Sequence, residues 1–150
     1  MDYDNKPIIN YSDPREFKAD QVQEFLKKIA ALESSSGQNT NHHVMQTGIH
    51  AGTSAVGDYG LMPLTAQEIE KQSGGGQLQD IDKFDAQKKL EQDPELTRRL
   101  AETMASKLLN KNNSEEAAYK WLMGQYSNPS KTELEESPRV RKFRTLSSVK

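Results

Sequence analysis

A glutamate at the end of an apolar helical pattern is the residue of this sequence whose position most favours acid–base chemistry. Glu33 comes four residues after Ile29, at the edge of an apolar stripe, and a serine turn with Gly37 follows it. A carboxyl group beside apolar side chains, at the negative end of a helix dipole, is held toward its protonated form. A general acid needs that form near neutral pH. A solvated glutamate at a helix end fits the same spacing, so the pattern leaves both interpretations open.

A glycine-rich return further along the chain is the second feature of chemical interest. Residues Gly57 to Gly60 have the sequence Gly-Asp-Tyr-Gly, and glycines allow a backbone to turn sharply or to approach a ligand closely. Asp58 is the only acid between Glu33 and Glu68, so it is the candidate for a second carboxylate. Its alternative role is to cap the turn in which it lies.

The three histidines lie between these two features. Adjacent His42 and His43 cannot easily both bind one ion, and the sequence contains no His-Glu-x-x-His helix. We therefore expect histidines that line a polar cleft or are solvated, with no metal site and no cofactor.

Apolar periodicity predicts the helices that would position these groups. A first helix starts at Pro14, directly after Asp13, and runs to about Glu33. A capping box at Thr65–Glu68 predicts a helix to about Gln72. Residues 78–90 form a short helical or turn-rich connector.

Two further helix starts follow, and they complete the expected fold class. Asp93–Glu95 starts the central helix, which runs to about Leu109, and Ser114 caps the next one. The polar run between Leu32 and Ala66 lacks helical periodicity and favours a short hairpin or loop around Gly48. The expected fold class is therefore α+β, mostly α, with a small β-hairpin or loop lobe.

The composition of this 150-residue chain limits which kinds of site, membrane segment and partner it can have. The absence of cysteine excludes disulfides and thiolate metal sites. No apolar run approaches the ~18 residues of a membrane span, and the N-terminus lacks the features of a secretory signal. The net charge is −2, of which residues 139–150 contribute +5. An acidic net charge without an aromatic-rich basic motif argues against nucleic acid as a partner.

The charge distribution and the helix pattern divide the chain into three parts. Residues 1–13 are expected to form an extended arm, 14–130 the folded domain and 131–150 a basic C-terminal tail. A basic tail is typical of segments that meet an anionic polymer or a partner surface, and it is also typical of a solvated chain end.

Four segments of the chain follow one another in order over about residues 17–128. They are Glu33-Ser34-Ser35, Gly60-Leu61-Met62 with Pro63-Leu64-Thr65-Ala66, Asp93-Pro94-Glu95 leading into Arg99-Leu100-Ala101, and Ala117-Ala118 with Trp121-Leu122-Met123-Gly124. Together they resemble the lytic transglycosylase domain of the goose-type lysozyme superfamily. The polar lobe and the return with Tyr59 resemble phage members of that family more than periplasmic ones.

The resemblance implies a lysozyme-like fold and cleavage of peptidoglycan between N-acetylmuramic acid and N-acetylglucosamine. Glu33 would be the catalytic acid/base. The protein would be associated with a virion, or lie in the host cytoplasm before release, and would act on the bacterial cell wall. Residues 1–13 and 131–150 would contact other virion proteins. The residues that would support Glu33 or bind the glycan are Ser34, Ser35, Asp58, Tyr59, Gly60, Leu61, Met62 and Trp121.

The chain departs from the family pattern in the substrate-orienting segments. The glutamine expected after Met62 is missing, Leu122 replaces an asparagine and Gln125 replaces a proline. The family's late Glu-Thr-Arg-x-Tyr segment has only a partial counterpart in residues 139–143. Two alternatives therefore remain open: a hydrolytic muramidase with Asp58 as base, and a virion structural protein that retains the fold.

Overall fold

The computed structural model describes residues 14–34, 37 and 42–146, with side chains in the first helix from residue 19 onward. Within these ranges the chain forms seven helices and no strand. The helices are α1 (Pro14–Ser34), α2 (Pro63–Gln72), α3 (Lys83–Gln92), α4 (Pro94–Lys111), α5 (Ser114–Met123), α6 (Lys131–Glu136) and α7 (Pro138–Leu146).

The loop between α1 and α2 corrects the expected fold class. In its described part, residues 42–62, one isolated antiparallel bridge joins Val56 to Leu61. Closer to α1, the Met45 amide donates to the Thr53 carbonyl at 2.8 Å, without extending into a ladder. Successive tight turns keep the paired segments short, and such short pairs do not form a stable sheet. The predicted α+β fold of lysozyme type, with its β-hairpin lobe, is therefore wrong: the described chain is all helical.

The core forms where α1 packs against α4. The buried face of α1 carries Phe25, Leu26 and Ile29, which are at most 3% exposed. Leucine and methionine side chains spaced four residues apart, from Leu96 to Leu108, form the buried stripe of α4. The predicted apolar stripes of both helices are confirmed, and their packing fixes the end of α1 relative to the rest of the domain.

Capping side chains explain where most helices begin. The Asp93 carboxylate accepts from the Leu96 amide at the start of α4, with Pro94 in the first position, as predicted. The predicted start of α1 at Pro14 is also confirmed, whereas the capping residues predicted for α2 and α5 are wrong. Pro63 begins α2 two residues before Thr65, because its fixed φ suits the first helical position. Asn113, one residue before Ser114, caps α5 in a reciprocal capping box with Glu116.

The C-terminal segment that was expected to be a basic tail contains α6 and α7. Val140 and Phe143 of α7 are buried against α1 and α5. The Phe143 ring lies 5.6 Å from that of Phe25, centroid to centroid. Arg144 donates two hydrogen bonds to Glu115, and this contact lowers the pKa of the Glu115 carboxyl. The basic residues of α7 thus hold the helix to the domain.

Residues 1–13 and 147–150 lie outside the described part of the chain. None of the helices described is both long and apolar enough to cross a lipid bilayer.

Candidate active site

Glu33 lies in the last turn of α1, on the wall of a cavity of about 410 Å³. Its side chain is 17% exposed, so the carboxylate is mostly covered but still reaches the cavity. The cavity wall includes several residues singled out from the sequence: Glu33, Gly60, Leu61, Met62 and Trp121. Tertiary packing thus brings together the candidate acid and the second half of the glycine-rich return.

Gly60 approaches the Glu33 carboxyl group so closely that a Cβ at this position would displace the carboxyl group by a few tenths of an ångström. A Cβ built on Gly60 would lie 3.0 Å from both Cδ and Oε2 of Glu33. Gly60 also has a φ of +63°, which L residues rarely adopt. The backbone conformation therefore favours glycine here, and the close contact links any side chain at this position to the placement of Glu33.

Ser34 holds the return against the end of α1. Its hydroxyl is 2.7 Å from the Asp58 carbonyl and 3.1 Å from the Ala30 carbonyl, and it accepts from the Gly37 amide at 2.9 Å. The residue is 1% exposed, so it supports the position of Glu33 from inside the protein. Its neighbour Ser35 lies outside the described residues.

Trp121 holds the return from the opposite side. Its indole N–H donates to the Tyr59 carbonyl at 3.0 Å, and its ring meets that of Phe25 edge-on, with centroids 5.9 Å apart. The side chain is only 8% exposed, so it both lines the cavity and belongs to the core. Because its N–H is already engaged with the protein, its contribution to a ligand would come from the ring.

Asp58 and Tyr59 face a second cavity, of about 600 Å³, that also includes His42, Thr97 and Arg98. Burial, followed by the negative charge of Asp58, raises the pKa of the Tyr59 phenol. Neither residue lines the cavity that holds Glu33. The return therefore divides the predicted site residues between two cavities.

Arg139 lines the Glu33 cavity and is not among the site residues predicted from the sequence. Its Nη2 donates to Glu33 Oε1 at 2.7 Å, across 106 positions of sequence, and its side chain is 46% exposed. The sequence placed it in a basic tail, and the partial match of residues 139–143 to a late family segment was the available signal. The ion pair joins the end of α1 to the start of α7.

His50 also lines the Glu33 cavity, and the sequence did not single it out from the other histidines. Burial, and then the charge of Lys83, lower the pKa of His50. Its Nδ1 is enclosed and has no hydrogen-bond partner among the residues described. His42, by contrast, has its Nε2 2.7 Å from the Gly57 carbonyl oxygen.

Within the described ranges, no three acidic or histidine side chains come together in a way that would hold a metal ion. Comparisons of the chain with models of protein families, with curated proteins and with solved structures found no match.

Proposed function

We propose that this chain is a lytic transglycosylase that cleaves peptidoglycan strands between N-acetylmuramic acid and N-acetylglucosamine, with Glu33 as its acid/base. The observation that carries the proposal is the mostly covered Glu33 carboxylate in a cavity walled by Gly60, Leu61, Met62 and Trp121. The resemblance of these same segments to transglycosylase motifs supplies the substrate class.

The chemistry needs one carboxyl group that changes roles. Protonated Glu33 gives its proton to the glycosidic oxygen as the bond from that oxygen to muramyl C1 breaks. The N-acetyl carbonyl of the substrate steadies the oxocarbenium-like centre, a known exception to the use of two carboxylates. Glu33, now a carboxylate, takes the proton of the muramyl C6 hydroxyl as O6 bonds to C1. The products are a 1,6-anhydro end and a free hydroxyl, and no water is consumed.

The first prediction tests this role directly. Replacing Glu33 by Gln removes the exchangeable proton but preserves size and a hydrogen-bond acceptor for Arg139. We expect loss of at least a hundredfold in the rate of peptidoglycan solubilisation, in line with the size of general acid–base contributions. Turbidity loss of purified peptidoglycan gives the rate, and circular dichroism checks the fold.

The matched control is Glu24→Gln, an identical change at an exposed position of α1. It should leave solubilisation unchanged. Undiminished solubilisation by the Glu33→Gln variant would contradict the assignment.

A hydrolytic muramidase is the first alternative. An inverting mechanism needs a second carboxylate roughly 6.5–9.5 Å away, across the scissile bond. The candidate, Asp58, lines the second cavity instead of the one that holds Glu33. Mass spectrometry of the released fragments separates the two reactions, because only hydrolysis adds the elements of water and leaves a reducing muramic acid.

A non-catalytic virion protein is the second alternative, and the ion pair between Glu33 and Arg139 favours it. In that case the two residues serve to hold α1 against α7. Wild-type protein would then release no fragments from peptidoglycan, and a virion carrying Glu33→Gln would assemble and enter cells normally. Normal assembly with loss of entry would instead show that the protein has both roles.

A further inference from the structure

Helix α7 places a cation directly on the candidate acid. Arg139 donates from Nη2 to Glu33, while nearly half of its side chain remains accessible at the same cavity. A guanidinium has five N–H donors in a planar fork, and this fork matches a carboxylate bidentately. The observed contact joins one nitrogen to one oxygen. Arg139 therefore has donors left for a second carboxylate that enters the cavity.

The remaining charges of α7 show that this placement is specific to Arg139. Arg144 is paired with Glu115 on α5, and Arg141 donates from Nε to the Glu135 carbonyl. Neither lines the Glu33 cavity. Of the arginines described in α7, Arg139 is thus the one directed at the candidate site.

The ion pair also has a consequence for the proposed chemistry. Glu33 accepts a hydrogen bond from the Arg139 guanidinium, whereas the first step requires the same carboxyl group to give a proton to the substrate. Arg139 must therefore give up Glu33 before the glycosidic oxygen is protonated. The Arg139 side chain is 46% exposed, so a second carboxylate can reach the guanidinium and take the place of Glu33.

We propose that Arg139 is the receptor for a carboxylate of the substrate, and that its transfer from Glu33 to this carboxylate frees Glu33 to take up a proton. This inference rests on the proposed function. The ligand it identifies is a glycan that carries stem peptides, whose free carboxylates are the anionic groups next to the muramyl ring. Arg139 acts on the reaction through Glu33 and is a positioning and specificity residue.

Other titratable groups near Glu33 are few among the described residues. His50 lines the same cavity from the loop, and the backbone carbonyl of Asp58 accepts from Ser34 in the adjacent turn. On α1 itself, the Lys28 ammonium lies 5.3 Å from the Phe143 ring centroid. Helix α5 contributes Trp121 and its apolar neighbours to the cavity wall. Arg139 is thus the described side chain that contacts the Glu33 carboxyl group directly.

A binding experiment tests the receptor without requiring cleavage. The probe is an N-acetylmuramyl dipeptide with one free carboxylate, compared with the same compound in which that carboxylate is converted to an amide. Calorimetry on the wild-type protein should show at least tenfold tighter binding of the acid than of the amide. Equal affinities would overturn the proposal, and this measurement needs no variant.

Three variants sharpen the binding test. Arg139→Gln should lose the preference for the acid, whereas Arg141→Gln, with the same charge change at an exposed position of the same helix, should keep it. Glu33→Gln should bind the acid severalfold more tightly than the wild type, because the competing carboxylate is gone. A merely structural ion pair would not produce these opposite effects. If Arg139→Gln kept the preference, or Glu33→Gln did not tighten binding, the receptor role would be wrong.

Cleavage assays then separate this proposal from the proposed function. On intact peptidoglycan, Arg139→Gln should lower kcat/KM at least tenfold, and on peptidoglycan whose stem-peptide carboxylates have been converted to amides it should be close to the wild type. Glu33-dependent cleavage without a preference for the acid probe would refute the receptor and leave the transglycosylase intact. Acid-selective binding without any cleavage would refute the transglycosylase and leave the receptor.

Discussion

At the scale of the residue, the candidate site depends on the close contact between the backbone of Gly60 and the carboxyl group of Glu33. Gly60 makes this approach with a positive φ, and Ser34 and Trp121 hold the return in place through its backbone carbonyls. Side chains that the sequence resemblance assigned to the glycan therefore also build the wall of the cavity. Substitutions in this wall should alter both stability and the position of Glu33.

Gly60→Ala is the prediction at this scale. We expect a loss of about 1–3 kcal/mol in the free energy of unfolding from the positive φ. Displacement of Glu33 by the new methyl group should add to this loss and lower any peptidoglycan cleavage at least tenfold. Urea unfolding and the turbidity assay give the two quantities.

Gly74→Ala is the control for the backbone contribution. Gly74 also has a positive φ, of +82°, but a Cβ there would meet nothing within 4 Å. It should show the conformational cost without loss of cleavage. Equal effects of both substitutions would mean that the close contact between Gly60 and Glu33 has no functional importance.

At the scale of the element, α7 decides whether Arg139 reaches Glu33. This helix is held by the burial of Val140 and Phe143, and by the ion pair between Arg144 and Glu115. Phe143 is 1% exposed and packs between the Phe25 ring and the Lys28 ammonium. Burial of the Phe143 ring thus helps to position α7, and with it the Arg139 guanidinium.

Phe143→Ala should therefore destabilise the protein and detach α7. We expect a loss of about 3–5 kcal/mol in the free energy of unfolding, as for other buried aromatic residues. Faster amide exchange should appear in α7 and at the end of α1. Phe84→Ala, at a residue that is 49% exposed on α3, is the control and should cost much less. Unchanged exchange in α7 would show that other contacts hold the helix.

At the scale of the whole molecule, the protein is expected to lose stability as the pH falls through the range in which histidine titrates. The pKa of His50 is lowered in the folded state, so the unfolded chain binds more protons there than the folded chain does. Stability from His50 is therefore complete above its unfolded pKa of 6.5 and is lost as the pH falls below that value toward the folded pKa.

His50→Gln should remove this part of the pH dependence. Thermal unfolding from pH 7.5 to 5 should show a smaller decrease in Tm for the variant than for the wild type. The exposed residue His43, changed to Gln, is the control and should behave as the wild type does. If both variants followed the wild-type curve, His50 would not be the group responsible.

Much of the helical framework was determined by the sequence itself, because caps and apolar periodicity act over a few residues. The Asp93–Pro94 start of α4 and the apolar stripe that ends beside Glu33 are local patterns of this kind. Local chemistry did not choose between Asn113 and Ser114, which are adjacent residues of similar capping ability. Local chemistry also favoured a hairpin around Gly48. In the structure the paired segments of this loop are too short to form strands.

Only the tertiary structure decided which side chains share a cavity. The pairing of Glu33 with Arg139 spans 106 positions of sequence and follows from the burial of Phe143. The residues next to Glu33 in sequence give no indication of this contact. The division of Asp58 from Gly60 likewise follows from how the return packs between α1 and Trp121. The sequence determined a helix with an acid at its end, and long-range packing determined the cation and the cavity that this acid faces.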